Sequence, residues 1–132
     1  MKLTERIGSV LSWKETAVGL SSLGRIGEDI RRLTDDTELM KKALLVCDEL
    51  LTNIVLYSGA AHMGYFCERS DGGLLIGLYD DGAEFDPTAY IPAEKDPLDF
   101  DSGGMGLRIT AQSVREWIYR RADGRNLLLF SL

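Results

Sequence analysis

Apolar residues recur at spacings of three and four through Leu20, Leu23, Ile26, Ile30 and Leu33, and this predicts an amphipathic helix over 18–33. A longer stretch of the same period runs from about 37 to 57. "TDDTE" at 34–38 offers N-cap side chains just before it, and "SGAA" after it offers a glycine stop. On this second helix Leu44, Cys47, Leu51, Ile54 and Val55 read as the stripe that faces a core. The remaining apolar runs are short and read as strands: 6–13, 62–69, 73–80, 117–121 and 126–132. "SDGG" and "ADGR" are hairpin turns between the last two pairs of runs. A third helix, about 105–113, opens directly after a cluster of glycines. Helices that precede or interrupt these strands predict an α+β fold, a two-layer sandwich. Its sheet would be mixed, mainly antiparallel, and covered on one face by helices, with residues 1–132 forming one domain.

Between 81 and 102 the periodicity stops. That stretch holds Pro87, Pro92 and Pro97, all the prolines of the chain. About 20 residues without regular structure inside a compact domain usually form a lid or a binding loop.

Composition narrows the function classes. The chain has 132 residues, a formal net charge of −6 and a pI near 4.7. An acidic chain lacks the basic patch that nucleic acid requires, which leaves protein partners or a metal-bound anion. Cys47 and Cys67 sit in apolar contexts and read as buried free thiols. No apolar run approaches the roughly 20 residues of a membrane span, and "MKLTERIGSV" lacks a signal-peptide core. The expected location is cytoplasmic. The single histidine, His62, reads as a strand residue rather than a ligand.

Three short motifs carry candidate chemistry. In "CDELLTNIVLYSG", Glu49 and Asn53 are four apart and share one helix face. Val46, Leu50 and Leu56 flank them where a solvated face would carry lysine and glutamate. Alone, the pair fits a surface face with stray apolar neighbours as well as it fits the floor of a pocket. In a pocket, its oxygens suit a hard cation such as Mg²⁺ and an activated water. In "LLIGLYDDGAEFDP", a strand delivers Asp80 and Asp81 ahead of Gly82. Asp-Gly is a common turn. It also suits a buried carboxylate that accepts from an exocyclic amine such as that of adenine, with Gly82 allowing the base to approach the backbone. In "GGMGLRIT", Gly103, Gly104 and Gly106 open a helix. They read either as a flexible linker or as a helix start whose free N–H groups and dipole attract phosphate. No GKS or GKT follows, and no parallel βαβ unit surrounds the cluster, which excludes the Walker and Rossmann phosphate loops.

In this order and spacing, E-x-x-x-N on a helix, D-x-G at a strand end, a lid, then G-x-G-L opening a helix, the motifs resemble the GHKL ATPase superfamily (gyrase, Hsp90, histidine kinase, MutL). The resemblance runs from about residue 18 to 132. "DELLTN", "DDGAEFDP", "GGMGLRI" and the closing "DGRNLLLF" are most similar to the bacterial anti-sigma factor serine/threonine kinases. The resemblance implies ATP and Mg²⁺ as cofactors. Glu49 would be the general base, and Asn53 the magnesium ligand. Asp80 and Gly82 would meet adenine, and Gly104, Gly106 and Leu107 would border the phosphates beside the lid. It further implies a protein kinase that binds a sigma factor, phosphorylates an anti-sigma factor antagonist and forms a homodimer through the first strand and N-terminal helix. Tyr57 stands where the family usually has a histidine, and Glu84 where a glycine often follows D-x-G. Lys95 and Arg108 are the basic residues nearest the lid glycines. Two other readings remain: a non-catalytic switch of the same fold that nucleotide sets and a partner reads, and an interaction domain without nucleotide.

Overall fold

A computed structural model describes residues 2–7, 13–89 and 105–132, with only the backbone of Met105. Five strands form one sheet in the order β1-β2-β3-β5-β4: β1 is Lys14–Thr16, β2 Met63–Ser70, β3 Gly73–Asp80, β4 Glu116–Ala122 and β5 Arg125–Ser131. All four ladders are antiparallel. The helices are α1 (Leu3–Arg6), α2 (Ser22–Leu33), α3 (Thr37–Asn53) and α4 (Met105–Ser113), and a π-helical turn, Ile54–Ser58, extends α3.

Local chemistry sets these boundaries. The Asp36 carboxylate accepts from the Glu38 and Leu39 N–H groups and caps α3. Gly59, at φ +68°, ends the π turn in the left-handed region. Asp71 and Gly72 (φ +49° and +76°) make one hairpin turn, and Asp123 and Gly124 (φ +54° and +73°) the other. Two successive positive φ values match the right-handed twist of the flanking strands.

Period-two alternation divides the sheet into faces. Met63, Tyr65, Leu74, Ile76, Leu78, Leu128, Phe130 and Leu132 meet Ile26, Ile30, Val46, Cys47, Leu50 and Leu51 of the helical layer in the main core. The expected two-layer α+β sandwich is therefore present.

Two expectations need correction, and one packing feature lies beyond them. The first strand is not 6–13: Arg6 ends α1, residues 8–12 lie outside the described residues, and the paired strand is Lys14–Thr16. The second sheet face is not bare. Ile7, Phe66, Leu75 and Leu129 form a smaller cluster there with Leu3 and Trp13, and the Arg6 guanidinium holds Glu68 at 2.8 and 2.9 Å. The buried arc of α3 is also wider than the stripe Leu44, Cys47, Leu51, Ile54 and Val55. Val46 and Leu50 are core residues, because α3 packs against α2 and α4 as well as the sheet. Leu56 does stay exposed, at 62%.

Candidate functional site

The end of α3 and the ends of β3 and β5 meet around a cavity of about 330 Å³, within the size range of small-molecule pockets, about 300–1,000 Å³. Its walls are largely apolar, with Leu50, Ile54, Leu78, Phe85, Leu107 and Leu128 among them, and Asn53, Asp80, Tyr119 and Asn126 supply polar groups. Asn53, Asp80 and Leu107, three of the residues singled out from sequence, therefore share one cavity.

Glu49 does not line that cavity. One turn before Asn53, its carboxylate packs against Gly106, and a Cβ built at Gly106 would land on it. The glycine thus lets α4 approach the carboxylate of α3, and the next residue, Leu107, faces the cavity. Burial pushes the Glu49 carboxyl above its usual value, and the neighbouring charge of Asp48 adds to this. Gly104 and Gly103 lie outside the described residues, as does the lid from 90 onward with Lys95. Glu84, Phe85 and Pro87 at the start of the lid line the cavity. Arg108 is exposed on α4.

Asp80 ends β3 on the helical face and is 5% exposed. Its Oδ1 accepts from Gly82 N–H at 2.9 Å and from Asn126 Nδ2 at 3.1 Å. No fully buried side-chain oxygen lacks a partner among the described residues. Oδ2 has none there, so it is the oxygen that reaches the cavity. Burial raises the Asp80 carboxyl above its usual value, against the opposing pull of Asn126, the Gly82 N–H and Arg121.

Gly82 is not a cavity wall. It sits against Ser58, where a Cβ would come within 2.5 Å of the carbonyl oxygen and 2.6 Å of Cβ and Oγ. Ala83 N–H donates to Ser58 O (2.8 Å), and Arg121 Nη1 donates to Gly82 O (2.8 Å). Asp81 completes the clasp. Its Oδ1 accepts from the Ala61 and His62 N–H groups, both at 2.8 Å, and its Oδ2 meets His62 Nδ1 at 2.8 Å. These bonds hold the Asp81 carboxyl down at about 2. His62 therefore precedes β2 as an exposed partner of Asp81. The π turn shapes the same contact. Ser58 Oγ donates to Ile54 O at 2.7 Å, the carbonyl that an uninterrupted α-helix would pair with Ser58 N–H. Insertions of this kind recur at functional sites. This one adjoins the cavity, which its Tyr57 lines at 75% exposure.

Asn126 was not singled out from sequence, although a signal for it exists. Asn126, Leu128, Phe130 and Leu132 alternate along β5, so a polar residue falls on the buried face. It is 7% exposed, and the register sets it directly opposite Asp80. Its Nδ2 donates to Asp80 Oδ1 and to Ala83 O (2.8 Å), while its Oδ1 accepts from Tyr119 Oη (2.5 Å) and Phe85 N–H (3.2 Å).

Cys47 and Cys67 are free thiols; Cys47 is buried, as expected, and Cys67 only half-buried. No helix among the described residues is long and apolar enough to cross a membrane.

A search of curated proteins returned no match. Among solved structures, the histidine kinase domain of the Erythrobacter litoralis EL346 blue-light activated histidine kinase is similar at 18% identity and a TM-score of 0.49, over 97% of this chain and 71% of that one. The family model for the histidine kinase-like ATPase domain matches residues 20–132. That span holds α3, the strand-end aspartate, α4 and the closing hairpin, so it contains every cavity wall among the described residues, and the chain belongs to the histidine kinase-like ATPase family.

Proposed function

We propose that this chain is a cytoplasmic ATP-binding regulator that transfers the terminal phosphate of ATP to a serine or threonine hydroxyl of an anti-sigma factor antagonist, and that it also binds a sigma factor. One observation carries the reading. Asn53, Asp80 and Leu107 line one cavity, and the Glu49 carboxylate lies against Gly106, next to Leu107.

Adenine would enter between the apolar walls with its amine on Asp80 Oδ2. The triphosphate would run toward the α4 N-terminus, where the backbone N–H groups of Gly106 and Leu107 suit an anion. Among the described residues no group of three or more His, Cys, Asp or Glu side chains lies together. A magnesium ion would take Asn53 as its ligand from α3, with phosphate oxygens and water filling the other positions, as this cation prefers. When bound it supplies charge neutralisation. Glu49 would accept the proton of the attacking hydroxyl, and burial raises its pKa in the direction that strengthens a base. Phosphoryl transfer asks little more of a protein than positioning and electrostatics. The edge strand β1 pairs with β2 alone among the described strands. With the N-terminal segment it is the surface for the homodimer in this reading.

Calorimetry with Mg·ATP tests the binding half. The wild type binds, and Asp80→Ala weakens binding by about 10-fold or more, because the amine loses its buried acceptor. Absence of binding by the wild type would sink the proposal. Incubation with radiolabelled ATP and an anti-sigma factor antagonist tests the transfer half. Glu49→Gln keeps nucleotide binding and loses transfer by about 100-fold or more. Binding without any transfer by the wild type would leave the alternative, a nucleotide-set protein switch.

A further inference from the structure

The hydrogen-bond polarity of the cavity floor is fixed by backbone groups, whose roles as donor or acceptor cannot change. Ala83 O must accept, so it takes a hydrogen from Asn126 Nδ2. Phe85 N–H must donate, so it faces Asn126 Oδ1. Together they set the amide one way round. The second Nδ2 hydrogen then goes to Asp80 Oδ1, which also takes the Gly82 N–H. With both lone pairs of Oδ1 engaged, the carboxylate turns Oδ2 to the cavity as an acceptor. Tyr119 Oη lies 2.5 Å from Asn126 Oδ1 and must spend its proton there. Tyr119 lines the same cavity, and only lone pairs of its hydroxyl remain.

We propose that Asn126 is the specificity-determining positioning residue of this site, holding an acceptor-only floor that selects a 6-aminopurine nucleotide over a 6-oxopurine one. The inference rests on reading the cavity as a nucleotide site. A 6-amino group offers hydrogens to Oδ2. A 6-oxo group would set oxygen against oxygen in a buried place, where an unpaired acceptor is costly.

The same geometry makes a sharper statement about an amide at position 80. Gly82 N–H and Asn126 Nδ2 both require oxygen at the Oδ1 position. An asparagine there must therefore place its NH₂ toward the cavity, and the floor becomes a donor.

The test measures ATP and inosine triphosphate binding by calorimetry with Mg²⁺, on the full chain, with folding checked by circular dichroism. The wild type binds ATP at least about 10-fold tighter than inosine triphosphate. Asp80→Asn inverts the preference. Asn126→Asp sets a second carboxyl against Oδ1, so that the two share a proton, and the ratio falls to within about 3-fold. If the wild type binds ATP but binds inosine triphosphate equally well, the acceptor-only floor is wrong while the nucleotide reading stands. If neither triphosphate binds, the nucleotide reading itself has failed. If Asp80→Asn still favours ATP, the amide orientation is not fixed as argued. A folded Asn126→Asp that keeps the wild-type ratio removes Asn126 from the role. Should that variant not fold, the Asp80→Asn ratio decides alone.

Discussion

Replacing Gly106 by alanine separates the stability of α4 from the placement of Glu49. Gly106 is the second residue of α4. Alanine in a helix gains up to about 1 kcal/mol over glycine. Against that, the new Cβ lands on the Glu49 carboxylate. That carboxylate is the far end of a flexible, half-buried side chain, so it swings aside rather than breaking the fold. Forcing a side chain off its preferred rotamer costs about 0.5–1.5 kcal/mol. The two effects nearly cancel, so the net change in stability stays within about 1 kcal/mol, or roughly 3–5 °C in Tm for a chain of this size. Function responds differently. On the general-base role proposed for Glu49, which contributes about 10²–10⁴-fold and only when positioned, phosphate transfer should fall about 100-fold or more while the protein remains folded. Thermal melts by circular dichroism and transfer of radiolabelled phosphate, on one preparation, read both quantities. Two results refute the reasoning. Transfer at the wild-type rate would show that the carboxylate is not needed where it sits. A Tm drop beyond about 10 °C would show that Glu49 cannot move and that the glycine serves packing.

Gly82→Ala should behave in the opposite way. Its Cβ meets Ser58 O at 2.5 Å, and that carbonyl is held by Ala83 N–H. Overpacking against fixed backbone costs about 1–3 kcal/mol, visible as a lowered urea midpoint. Asp36→Ala removes the cap of α3 and should lower unfolding free energy by about 0.5–2 kcal/mol in urea titrations. Asp81 has a folded pKa of about 2 against an ordinary 3.8. Its contribution is therefore complete above about pH 4 and disappears as pH falls toward 2. Asp81→Asn should flatten that part of the acid-unfolding curve, and an unchanged curve would show that the clasp with His62 does not stabilise the fold.

Where a single local rule decides the structure, the sequence was legible. The helix at 105–113, the strand at 73–80 and both Asp-Gly turns lie where period and turn chemistry put them. Asp36 was among the expected caps. The misses share a cause, which is that a neighbour in space decided the outcome. Val46 and Leu50 looked like the rim of a polar face, and α4 and α2 made them core. Gly82 makes room for Ser58, a contact that no local pattern signals. The π turn follows a stretch with good helical period, and its visible trace is Ser58, whose hydroxyl bonds back to Ile54.

Asn126 shows how such a residue can be found without a structure. A polar side chain on the buried phase of a strand costs several kcal/mol unless partnered, so its presence requires a partner on the same face. Asp80 occupies the buried phase of β3 after Leu74, Ile76 and Leu78, and is the same kind of exception. Two exceptions at strand ends, each needing a partner that the apolar layer cannot supply, satisfy one another most simply by pairing. That requirement fixes the β3–β5 register at Asp80 and Asn126. The pair also holds a polar opening in an otherwise apolar layer, beside the last turn of α3. The pairing of β3 with β5 and the floor of the cavity therefore share the Asp80–Asn126 contact, and a substitution that leaves either residue without its partner disturbs both.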